Sequence, residues 1–167
     1  MMQQLTAISP EERHWLLVAV AQILIADHIY ENSEKDFFEN IMSQIFKKDA
    51  KEVSAAVKIA VELKTILEGE PATPIETFNI INPSRLVFFL DILSAAVYAS
   101  GKMLHSESLK FYEAGLCLGL DPGTLSYRLN LERERVLAQQ KLDSFRHKLT
   151  EDIKKTTTGR SKISGYC

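Results

Sequence analysis

Glu11 and His14 stand three residues apart, the Glu-x-x-His step with which helix bundles hold one half of a di-iron centre. Such a centre needs the step twice, and this chain carries it once. Glu11 therefore reads as a first-turn helix acid and His14 as a surface or boundary residue. His147, inside a charged stretch, should face solvent. The two cysteines, Cys117 and Cys167, lack the paired short spacings of a zinc or disulfide framework. Cys117 is expected in the core and Cys167 as an exposed tail thiol. No Gly-x-Gly-x-x-Gly, no P-loop, no Gly-x-Ser-x-Gly elbow and no His-Glu-x-x-His occurs. Nucleotide, serine-nucleophile and zinc-hydrolase chemistry lose their usual foothold, and the reading is of a protein without enzymatic activity.

The elements that would position any site are helical. With 167 residues, 46% of them hydrophobic and 25% charged, the chain is long enough for one well-buried core. The longest apolar run, Leu16 to Ala26, falls well short of the roughly 20 residues needed to cross a bilayer. The opening MMQQLTAISPEER shows no basic start followed by an apolar stretch, so a cytoplasmic location is expected. Ser9-Pro10-Glu11-Glu12 reads as a helix start with a capping box, and its helix should run to about Ala26 and sit centrally, because its apolar residues cover more than one stripe. Ser33 with Asp36 is expected to open a second helix, Asp49 a third that stops at Glu68-Gly69-Glu70-Pro71, Asn82-Pro83 a fourth through Tyr98, and Ser106 a fifth ending at Gly119. The stretch from Pro71 to Ile81 has no period but is apolar at Ile75, Phe78, Ile80 and Ile81, which predicts an ordered loop, or a loop with one short helical turn, folded back on the helices. Asp121-Pro122 starts a sixth helix that continues through Ile153.

Sliding the chain on itself by 73 residues lays Leu17–Phe38 over Leu90–Phe111, helix, link and helix over the same. Within the links, Ala26, Ser33 and Glu34 fall on Ala99, Ser106 and Glu107 without gaps. Two such hairpins can close their apolar faces on one another as a compact bundle. The expected organisation is a helical domain over residues 1–131, a charged amphipathic helix over 132–156, and a disordered tail over 157–167.

At these links the chain resembles the TerB-like family, known from tellurite-resistance proteins and from a segment of a membrane-anchored co-chaperone. The motif is an apolar helix ending in Ala-Asp-Gly, a few residues, and a Glu opening the next helix, used twice. Here the first copy is Ala26-Asp27-His28 with Glu34, and the second is Ala99-Ser100-Gly101 with Glu107. The resemblance spans residues 10 to 125. It implies an all-α bundle, cation binding by the acids of the two links, and a role in stress-response or membrane-associated complexes. His28 replaces the family's glycine and Ser100 its aspartate. A hard cation such as Ca²⁺ wants six to eight oxygens, and Asp27, Glu34 and Glu107 bring three carboxylates, with Glu31 and Ser100 as additions. His28 and His105 would suit zinc if they converged with a carboxylate. The plain alternative gives each acid only the favourable field of a helix N-terminus. The site exists only if the two links share one acidic hollow.

Charge divides unevenly along the chain. From Glu132 onward nine basic residues face five acids, a net of +4, while the remainder nets −6. Basic and acidic residues alternate in that segment and no Gly-aromatic motif accompanies them, so nucleic-acid binding is not expected. Leu142, Phe145, Leu149 and Ile153 step by three and four, an apolar stripe on a charged helix. It should fold back on the bundle, pair with another subunit, or meet a partner protein; any membrane association would be peripheral and through that partner. A structural or dimerising protein with no metal site is the competing expectation.

Overall fold

In a computed structural model, the described residues are 8–27, 31–46, 75–80 and 82–163, with the side chains of 158–163 left aside. They form five helices and no strand: α1 Pro10–Leu24, α2 Asn32–Ile45, α3 Pro83–Val97, α4 His105–Cys117 and α5 Pro122–Ile163. The expected helix opened by Asp49 lies outside the described residues. Among the described residues no helix is long and apolar enough to cross a membrane.

Helix α1 is central for the reason its composition predicts. Leu16, Leu17, Ala19, Val20, Ala21 and Ile23 are wholly inaccessible to solvent, pointing all around the helix, and α1 packs against α2, α3 and α4. Trp15 stacks on Phe89 of α3, with ring centroids 6.0 Å apart. The segment 75–80 folds back as expected. Its Glu76 carbonyl accepts from Trp15 Nε1 at 2.7 Å, and the Phe78 N–H donates to the Cys117 carbonyl at 3.0 Å. Ile75 is buried, its N–H donating to Glu113 and its carbonyl accepting from the Cys117 thiol. Cys117 is thus half-buried and hydrogen-bonded rather than a core residue, and burial with the nearby Glu113 pushes its thiol pKa up, away from nucleophilic use.

The repeat extends further than the links. Pro10 and Pro83 open α1 and α3, Leu24 and Val97 close them, and α2 and α4 begin at Asn32 and His105, each pair separated by the same 73 residues. Side-chain caps on Ser9 and Asn82 keep that register. Two of the expected caps move. Ser33 and Ser106 lie inside their helices, whose caps are Glu31 and Leu104, neither making a side-chain cap bond. The starts shift upstream because Glu34 and Glu107, three residues past these caps, turn back and accept from the cap N–H.

Helix α4 ends before Gly119, whose φ of +83° supplies the left-handed turn that side-chain-bearing residues avoid. Asp121 caps the start of α5 through Thr124. Gly115 of α4 lets Leu125 of α5 approach so closely that a Cβ at that glycine would stand 2.3 Å from a Leu125 methyl carbon. The chain divides into two compact units, 1–130 and 131–167, and α5 contributes to both. It stays helical to Ile163, past residue 157 where an aperiodic tail is expected.

Candidate acidic site at the paired links

Three helices of the first unit carry a glutamate at the third position after the cap: Glu12 on α1, Glu34 on α2 and Glu107 on α4. At this position a carboxylate can accept from the cap residue's own N–H and also gains from the helix dipole. All three are buried, at 7%, 1% and 2% exposure. Carboxylates at these depths ordinarily require a compensating charge.

Glu12 has one. Its Oε1 accepts from the Arg85 guanidinium, and Arg85 is the residue 73 positions on, at the equivalent place in α3. Equivalent positions of the two hairpins therefore face each other, and at this end of the bundle they are glutamate and arginine. Glu34 and Glu107 are also 73 apart, and the charge of Glu34 reaches Glu107, so there the equivalent positions are both acids.

The consequence is visible in their ionisation. Burial raises the Glu107 pKa to about 8, opposed by the Leu104 N–H bond and reinforced by the charges of Glu34, Asp27 and Glu31. Burial, then Asp27 and Glu31, raises Glu34 to about 7. One oxygen of each carboxyl, Oε2, is shielded from solvent and has no hydrogen-bond partner. Both shifts have burial as their largest cause, so each carboxyl favours its protonated form to a higher pH than a solvated glutamate does.

The links supply the rest of the surroundings. Asp27, half-buried, and Glu31, exposed, lie close enough for their charges to act on both glutamates. His28 lies outside the described residues. His105 is exposed at the first position of α4, its carbonyl accepting from Ser108 at 2.7 Å. Ser100 turns its hydroxyl onto the Lys102 carbonyl. Among the described residues no three His, Cys, Asp or Glu side chains stand together as a ready metal cage. The Oε2 atoms of Glu34 and Glu107 are of the oxygen type a hard cation takes, and further ligands would have to come from link residues and water.

Sequence reasoning singled out the acids but not what sets them apart. The Glu12–Arg85 contrast has a signal in the chain: extending the 73-residue slide back to Pro10 and Pro83 places these two residues in register. Glu11 and His14, by comparison, are both exposed. No family model matches the chain, and neither a curated protein nor a solved structure matches it.

Proposed function

We propose that this chain is a non-catalytic helical module whose paired links receive a hard divalent cation, in the manner the TerB-like resemblance implies, and that occupancy tightens the seam between the two hairpins. The observation that carries the reading is the unbalanced pair: Glu12, Glu34 and Glu107 are all buried with an orphaned Oε2, but Glu12 has the Arg85 guanidinium on its other oxygen, while around Glu34 and Glu107 the charges that act are those of further acids. A buried carboxyl pair answers its missing counter-charge by holding a proton or by taking a cation, and the acids around it favour the second as the pH rises. Glu34 and Glu107 would be the inner ligands, with Asp27 and Glu31 at the mouth. An oxygen-only set suits Ca²⁺ or Mg²⁺ and offers zinc little.

Calorimetric titration of chelator-stripped protein with CaCl₂ and MgCl₂ at pH 7, in two buffers of different ionisation enthalpy, tests this directly. Binding should release protons, so the apparent heat should change between buffers, and Glu34→Gln with Glu107→Gln should abolish it. Absence of heat together with an unchanged melting temperature in millimolar CaCl₂ and MgCl₂ would sink the cation reading. The pair would then be a protonated core contact in a purely structural bundle, a second reading that the pKa of about 8 at Glu107 already favours near neutral pH.

A further inference from the structure

The second compact unit, residues 131–167, carries a surface that the site does not use. Along α5, Leu142, Phe145, Leu149 and Ile153 are between 42% and 61% exposed, while every neighbour from 137 to 150 is exposed as well. Leu142, Phe145 and Leu149 step by three and four, the spacing of a coiled-coil core, and Ile153 flanks the next core position, which is Asp152; together they draw a narrow seam along one side of the helix and not the broad apolar face of a helix lying on lipid. Apolar side chains of this size, left in water in register over three turns, stabilise association when covered.

The charges beside the seam say what can cover it. Lys141, Lys148 and Lys155 recur every seventh residue and so form a row along one flank, while Arg146 borders the other. Between 141 and 155, Asp152 is the one acid beside the seam; Asp143 and Glu151 lie away from it. A second copy of this helix is a poor fit. Parallel pairing sets Lys141 opposite Arg146 of the copy, and antiparallel pairing that matches Leu142 with Phe145 sets Lys141 opposite Lys148. Like charges at these flanking positions select against self-association.

We infer that residues 141–155 are a docking strip for a helix of a partner protein, one whose apolar seam is bordered by glutamate or aspartate. The partner's leucines would cover Phe145 and Leu149, and its acids would pair with the lysine row.

The full chain can be tested with a fluorescent four-heptad peptide that has leucine at the core positions and glutamate at both flanks, against the same peptide with lysine flanks. The glutamate peptide should bind at least tenfold tighter, and its binding should weaken steeply with added salt. Phe145→Ser with Leu149→Ser should remove binding. Because both positions are exposed, the melting curve of the protein should hardly move. Reversing the row with Lys141→Glu, Lys148→Glu and Lys155→Glu should transfer preference to the lysine peptide. Equal binding of the two peptides would overturn the proposal. So would a concentration-dependent dimer by light scattering whose seam excludes the peptide, or binding confined to phosphatidylcholine vesicles with about one third phosphatidylglycerol.

Discussion

Replacing Glu107 with glutamine removes one charge from the paired links and leaves shape almost unaltered, since the amide oxygen can still accept from the Leu104 N–H. The folded protein holds the Glu107 proton up to about pH 8, whereas an unfolded chain releases it near 4.5. A carboxyl with a raised folded pKa contributes stability that is complete below about pH 4.5, declines as the pH climbs, and is lost once the pH passes the folded value. At about 1.4 kcal/mol for each tenfold change, the gap sets an upper limit of about 5 kcal/mol on what ionised Glu107 costs at pH 9. Water entering between the links and outward movement of Asp27 and Glu31 reduce this, and we expect about 2 to 3 kcal/mol. Urea unfolding of both proteins at pH 5, 7 and 9, with chelator present, reads it. The variant should be within about 1 kcal/mol of the native chain at pH 5 and the more stable of the two at pH 9. It should retain a shallower decline from Glu34, whose pKa is about 7. Parallel pH profiles for the two proteins, or a variant weaker at pH 9, would refute the reasoning, because both require that Glu107 is not a buried charge.

Other substitutions probe the framework around the site. Gly115→Ala places a methyl against Leu125, which is fully buried, and should cost about 1 to 3 kcal/mol in urea unfolding through displacement of the start of α5. Trp15→Phe keeps the stacking on Phe89 but removes the bond to the Glu76 carbonyl, so segment 75–80 should exchange its amide hydrogens faster, with a loss of about 1 to 2 kcal/mol. Arg85→Met leaves Glu12 buried without its partner and should cost about 2 to 4 kcal/mol at pH 7, most of it recovered by adding Glu12→Gln, as thermal melts of the single and double variants would show.

The helical architecture was legible because its signals are local and agree with one another. Ser9-Pro10-Glu11-Glu12 and Asn82-Pro83 start helices where the structure has them, and the apolar residues of α1 point in every direction because the helix is surrounded. The starts of α2 and α4 were misplaced by a specific competition. Serine is a good cap and glutamate an ordinary helix former, so propensity favours Ser33 and Ser106. The glutamates won because folding draws them inside, and reaching back to the cap N–H is the bond left to them there. The same tertiary fact hid the site's character. Nothing in the local spacing of Glu34 tells that it is buried within reach of the Glu107 carboxyl rather than in solvent. That follows only from the 73-residue register taken as a statement about packing, in which like positions meet. The C-terminal stripe was legible as a stripe, and its exposure required coordinates.

The pairing of Glu12 with Arg85 has an implication for how such a bundle can be built. A lone hairpin that closes on a second, identical molecule can only set each residue on its symmetry line opposite its own twin, and a twin shares its charge. A salt bridge between equivalent positions is therefore closed to a self-dimer, whatever its sequence. Joining the two hairpins in tandem lifts the prohibition, since each half can then change alone. One end of this molecule has used that freedom, with arginine answering glutamate, while the other presents the mirror-image acids that an unlinked dimer would be compelled to show.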